Sequence, residues 1–124
     1  MIFLDTHTAV WLYEGLGDKF GPHGLFLLNT QTTYLSPTVE LELQYFYERG
    51  VVKDAPTNYL EVLETDFNIH LSQSKYKDIA RRARELGWTY DPFDRLITAE
   101  AMLHKAPLLT KNQTILDNYP FAVW

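Results

Sequence analysis

Four short stretches of this sequence set oxygen-bearing side chains where chemistry could be done. Asp5 closes the apolar run Met1-Ile2-Phe3-Leu4, and Glu42 sits inside an apolar-rich helical pattern. Asp91 and Asp94 bracket the start of a second such pattern, and Thr110-Lys111-Asn112 follows the apolar pair Leu108-Leu109. Gathered at one place, such groups repel: two carboxylates about 4 Å apart interact by roughly 4 kcal/mol at an effective dielectric near 20. Something positive must compensate. The set is all oxygen and the chain has no cysteine, so a hard cation such as Mg²⁺ or Mn²⁺ fits best. The histidines His7, His23, His70 and His104 show no HExxH-type spacing and give a zinc site little support.

Each acid also has a plainer role open to it. Asp5 could cap a helix or hold a turn. Asp91 is a good N-cap, and Asp94 in a first turn complements the helix dipole. Glu42 is harder to explain that way. At 100° per residue, Val39, Leu43 and Phe46 share one face of its helix, Leu41 and Tyr45 an adjoining one, and Glu42 falls between them. Glu40, Gln44 and Glu48 share the opposite side, expected to be solvated. A carboxylate buried without a partner costs several kcal/mol, so Glu42 needs a cation, a donor network or a wet cleft.

The elements that must position these groups read as alternating strands and helices. Residues 1–4, 33–35, 67–71, 108–110 and 121–124 read as short strands. Helices are expected over 8–13 (capped by Thr6 and stopped by Gly15), 37–49, 57–65, 74–86 and 92–105. Ser36-Pro37 supplies an N-cap and first helical position for 37–49, with Gly50 beyond its end. The glycine-containing stretch 15–24 reads as turns. This alternation predicts one α/β domain over 1–124, a three-layer α/β/α arrangement around a mostly parallel sheet. In such sheets, sites form outside the carboxyl ends of the strands, where all four stretches fall.

The 124 residues suit a single domain, and 46% hydrophobic with 22% charged residues is ordinary for a globular protein. The absence of cysteine excludes disulfides and thiolate chemistry and suits a reducing cytoplasm. Met1-Ile2-Phe3-Leu4-Asp5 does not read as a signal peptide. No apolar run approaches the roughly 18 to 20 residues of a membrane span, so a cytoplasmic protein is expected. A net charge of −5 argues against a generic DNA-coating protein. It is compatible with a nuclease whose acids line a metal site. Lys75, Lys77, Arg81, Arg82 and Arg84, with Arg49, Arg95 and Lys111 beside the motifs, could hold backbone phosphates, although 75–84 reads equally as a solvated helix face.

Nearly the whole chain resembles a PIN domain of the VapC-like toxin type. Phe3-Leu4-Asp5-Thr6-His7 with Trp11-Leu12 is similar to that family's first motif. Leu35-Ser36-Pro37, Leu41-Glu42-Leu43 and Glu48-Arg49-Gly50 resemble the second, and Asp91-Pro92-Phe93-Asp94-Arg95-Leu96-Ile97 the third. Leu108-Leu109-Thr110-Lys111-Asn112 resembles the fourth, with Asn112 where the family usually carries an aspartate. The resemblance implies a Mg²⁺- or Mn²⁺-dependent endoribonuclease, the toxin of a toxin–antitoxin pair. Its implied partners are an RNA substrate (tRNA among the candidates), a cognate antitoxin and a second copy of the chain.

On that reading Asp5, Glu42 and Asp94 are catalytic and hold the metal, with Asn112 as a fourth, uncharged group. Thr6, Ser36, Arg95 and Thr110 bind substrate or donate hydrogen bonds beside the acids. Asp91 and Asp117 are the acids that could make up for Asn112. In-line attack by water would leave a 5′-phosphate and a 3′-hydroxyl. Two other readings differ in class. A PIN-fold protein weakened by Asn112 would serve binding or regulation. A haloacid-dehalogenase-like phosphohydrolase would use Asp5 as nucleophile, but it needs a second aspartate where this chain has His7.

Overall fold

The apolar run behind Met1 forms the central strand β1 (Ile2–Leu4), and its three side chains are fully buried. Successive strand residues point to opposite faces, so both faces of the sheet are covered at this point. The computed structural model describes Met1 to Trp124. The other strands are β2 (Thr33–Leu35), β3 (His70–Leu71), β4 (Leu108–Leu109) and β5 (Ala122–Val123). They lie in the order β3-β2-β1-β4-β5, every pair parallel. Phe3 is in register with Tyr34 on one side and Leu108 on the other. The result is an α/β/α fold with an all-parallel sheet.

The helices are α1 (Thr6–Tyr13), α2 (Pro22–Thr30), α3 (Pro37–Glu48), α4 (Pro56–Phe67), α5 (Tyr76–Ala83), α6 (Pro92–Leu103) and α7 (Gln113–Asn118). Proline in the first turn, where its missing N–H is no loss, starts α2, α3, α4 and α6. Asp5, not Thr6, caps α1, its carboxylate accepting from the Thr8 amide. Ser36 caps α3 and Asp91 caps α6, as their positions suggested.

Several boundaries differ from the sequence expectation. The strand read at 67–71 shrinks to β3, because Phe67 completes α4 and Asn68 turns the chain at a φ of 53°. The helices read at 74–86 and 92–105 are trimmed to α5 and α6. Two elements were missed. α2 begins inside the stretch that reads as turns, and α7 follows Asn112. Gly24, which argues locally against a helix, lets α2 pack closely on the sheet. It is buried against β4, where a Cβ would stand 2.7 Å from Leu109 Cδ1. On α3 the buried stripe is Val39, Glu42 and Leu43. Leu41 and Tyr45, expected to adjoin the core, are instead 60% and 41% exposed. Glu40 and Gln44 are not fully solvated: they line a groove against the start of α4.

The strand order places a switch point between β1 and β4, since the chain leaves β1 toward β2 and β3 and returns on the other side. A crevice is expected outside the carboxyl ends of strands at such a point.

Candidate functional site

The residues that follow β1 and β4 are Asp5 and Thr110, and they are joined directly. Asp5 Oδ2 accepts the Thr110 hydroxyl, while Oδ1 accepts the Thr8 amide at 2.9 Å and the Thr8 hydroxyl at 2.6 Å. Thr8 Oγ1 also lies 3.0 Å from the Leu109 carbonyl, so its one proton is shared between that oxygen and Asp5 and ties α1 to β4. Asp5, Thr6, Thr8 and Thr110 are all buried. A carboxylate offers about four lone-pair sites, so these donors orient Asp5 without exhausting it.

Glu42 comes to the same crevice from α3. It is 7% exposed, and its Oε1 accepts the Thr6 hydroxyl at 2.5 Å. Burial pushes its carboxyl above the ordinary range, Thr6 opposes this, and the charges of Asp91 and Asp5 add to the rise. Asp94, in the first turn of α6, is pushed up to about 7. Burial is the largest cause, followed by Asp91, Glu42 and Asp5, with His7 opposing. Asp91 caps α6, accepting from the Phe93 amide at 2.9 Å and the Asp94 amide at 3.2 Å.

These groups line one cleft of about 390 Å³: Asp5, Thr6, His7, Trp11, Glu42, Asp91, Asp94, Lys111 and Asn112. The structure thus brings Asp5, Glu42 and Asp94 together. Asn112 joins them differently from the expectation. Its amide oxygen caps α7, accepting from Thr114 N at 2.9 Å and Ile115 N at 3.3 Å. Its amide nitrogen therefore faces the cleft and donates to Asp94 Oδ2 at 3.4 Å.

Two residues expected to touch substrate are placed elsewhere. Ser36 is fully buried and its hydroxyl accepts from Thr38 N at 3.2 Å to cap α3. Arg95 turns its Nε to the Thr89 carbonyl at 2.6 Å, bracing the loop before α6. Asp117 lies outside the cleft and accepts from Gln113 at 2.7 Å on α7. Lys75, Arg81 and Arg82 border a separate cleft with Ser74 and His104, and none of the basic residues at 75–84 lines this one.

No four-sulfur or histidine set competes here: His7 is the cleft's one imidazole, and its other ligand-type groups are carboxylates, the chemistry of a hard cation. No three of its acids converge closely enough to enclose an ion by themselves. The donor types fit Mg²⁺ or Mn²⁺, with water completing the shell, as Mg²⁺ prefers.

Sequence reading missed one buried acid. Glu100 of α6 is fully buried, its Oε2 accepts the Ser72 hydroxyl, and its Oε1 has no partner. The available signal was its place on one helical face with Ile97 and Ala101.

The sequence profile of the PIN domain matches residues 2–121. No curated protein matches the chain. Among solved structures, it is similar to VapBC2 from Rickettsia felis bound to a promoter DNA fragment, with a TM-score of 0.68 and 21% identity. That match covers 100% of this chain and 98% of the other. It is similar also to a toxin–antitoxin complex from Klebsiella pneumoniae, with a TM-score of 0.65, 17% identity and coverage of 100% and 97%. FitAcB from Neisseria gonorrhoeae follows, at a TM-score of 0.55, 21% identity and coverage of 100% and 96%.

Proposed function

This chain belongs to the PIN domain family, and from that premise we propose that it is a metal-dependent endoribonuclease, the toxin of a toxin–antitoxin pair. The observation that carries the reading is the crowding of Asp5, Glu42, Asp91 and Asp94 around one cleft, with Asp94 pushed up to about 7. Acids this crowded are unfavourable for folding alone and become useful when a cation enters. Membership of the family removes the haloacid-dehalogenase reading, whose second aspartate is His7 in this chain.

Asp5, Glu42 and Asp94 would hold Mg²⁺ or Mn²⁺, directly or through water, and Asn112 would steady Asp94 through its amide. Bound there, the ion would lower the pKa of a water and offset charge on the phosphate. The chain's own part is orientation. Thr8 and Thr110 fix both oxygens of Asp5, and Thr6 fixes Glu42. Asp94, which holds its proton up to about 7, would give it up where a cation binds. Lys111, at the cleft's lip, is a cation for a phosphate oxygen. Ser36 and Arg95 act as scaffolding for α3 and α6 rather than as substrate contacts.

The partners follow from the same reading: an RNA such as tRNA, an antitoxin and a second copy. Support for the antitoxin comes from the similar structures, of which one is a toxin–antitoxin complex. No helix is long and apolar enough to cross a membrane, which accords with a cytoplasmic place of action. A second reading, a weakened module that only binds, is favoured by one observation: Asn112 gives Asp94 a hydrogen bond where a fourth acid would give another negative charge.

The test is incubation of the purified, antitoxin-free protein with total tRNA in Mn²⁺, Mg²⁺ and EDTA, with Asp94→Asn alongside. Cleavage that needs metal and disappears in the variant is the expected result. A folded protein that cleaves none of several RNAs would favour the binding module.

A further inference from the structure

One cation lines the carboxylate cleft, Lys111, and it forms no ion pair with any acid there. Its ammonium stands instead over the ring of Trp124, 5.6 Å from the centroid. Lys19 repeats the arrangement 5.1 Å over Trp11, and it too has no acid partner. The indoles meet edge to face at 5.4 Å. Trp124 is backed by the buried ring of Phe20, stacked at 5.2 Å, and Trp11 itself lines the cleft. In a chain with a net charge of −5, two lysines held on aromatic faces without acid partners are not satisfied by the protein's own charges.

The geometry points to a nucleotide subsite on this lip, in which the Trp11–Trp124 pair stacks an unpaired base while Lys19 and Lys111 hold the flanking phosphates. This deepens the proposed function and rests on reading the adjoining cleft as a phosphodiester site. Cation–π contacts at exposed sites are weak, so each ammonium can leave its ring for a phosphate. The ring face it vacates is then open to a base. Aromatic platforms interleaved with cations are the chemistry by which single strands are gripped, because every base has a π-face. A base inside a duplex is stacked already and cannot use the rings. The indoles are fixed by Phe20 and by each other, so the platform is formed before RNA arrives.

The test is fluorescence titration in EDTA, which prevents metal-dependent cleavage. A Trp88→Phe background leaves Trp11 and Trp124 as the only tryptophans among the three in the chain. The probes are an unstructured oligoribonucleotide, the same sequence as a duplex, and the same strand with abasic positions. The single strand should quench the indoles, and the abasic strand should bind at least about fivefold more weakly, as loss of a stacked base predicts. Lys19→Gln and Lys111→Gln should each flatten the log K against log salt slope by about 0.7. Equal binding of the three probes would overturn the subsite, and the abasic arm needs no change to the lip itself. Unchanged salt slopes would overturn it as well, as would quenching by a partner protein and by no RNA. Single-strand binding with these features in a protein that never cleaves RNA would remove the nuclease reading and leave the subsite standing. Metal-dependent cleavage without them would do the reverse.

Discussion

Asn112 donates its side-chain amide to Asp94 while its amide oxygen caps α7. One residue thereby links the helix that follows β4 to the acid that opens α6. An aspartate at 112 could still cap α7, but it would face Asp94 with a second negative charge. The residue therefore sets a balance between a quiet apo protein and a strongly charged metal site.

The Asp94→Asn variant should lose metal-dependent cleavage by about a hundredfold or more, since even removing a residue that only supports a ligand costs about 10- to 100-fold. Its melting temperature in EDTA should equal or exceed the parent's, because the repulsion from Asp91, Glu42 and Asp5 is gone. Glu40→Gln, outside the cleft, is the matched control and should alter neither reading. Retained cleavage in Asp94→Asn would reduce Asp94 to a helix-start acid.

Asp94 should make the apo protein less stable as pH rises. Folded, it holds its proton up to about 7; unfolded, it releases it near the ordinary value of 3.8. Between those values the folded state binds more protons, so this group's favourable contribution is present below the window and lost across it. A cation substitutes for that proton, so the rise in melting temperature on adding Mn²⁺ should be small near pH 5 and grow through about pH 7. Melting curves over that range, with and without Mn²⁺, check both signs. A metal-induced rise independent of pH would separate Asp94 from the ion.

For Asn112→Asp the expected pair of effects is opposite in the two states. In EDTA the melting temperature should fall, because a like charge replaces a donor beside Asp94. In Mn²⁺ both affinity, measured by calorimetry, and RNA cleavage should rise. No change in affinity would mean that position 112 does not bear on the metal.

Ser72 and Glu100 form a buried pair remote from the cleft's lining. Ser72→Ala should destabilise by about 1–3 kcal/mol in denaturant melts, as it strips a buried acid of its one donor. Glu100→Gln keeps an acceptor for Ser72, so it should cost less than Ser72→Ala. Equal losses in both variants would point to packing rather than to the hydrogen bond.

The cleft was legible in the sequence because its acids follow apolar strands or interrupt an apolar helical stripe. Asp5 ends β1, and Glu42 lies between Val39 and Leu43 on the buried stripe of α3. What a lone sequence hid was long-range. Leu41 and Tyr45 look like core by period but stay exposed, Tyr45 meeting Phe93 of α6 and Arg49 at the surface. α2 looked like a turn because Gly24 acts through Leu109, a contact between residues far apart in the chain. Ser36 and Arg95 sit within recognisable motifs, yet their polar atoms go to the backbone. Trp11 was visible only as a motif member and Lys111 only as a cation beside a motif, and their shared lip depends on Trp124 at the other end of the sequence.

The hydrogen bond from Thr110 to Asp5 spans 105 positions. A growing polypeptide on the ribosome therefore has no assembled cleft until β4 has emerged and paired with β1. Closing so long a loop is entropically costly and comes before its contacts repay it. Fragments ending before β4, whether from interrupted translation or from proteolysis, would carry Asp5 and Glu42 but no Thr110 to orient the first of them. A chain built this way assembles the cleft only after residue 110 has been made, so shorter pieces of it would lack the arrangement on which the proposed activity depends.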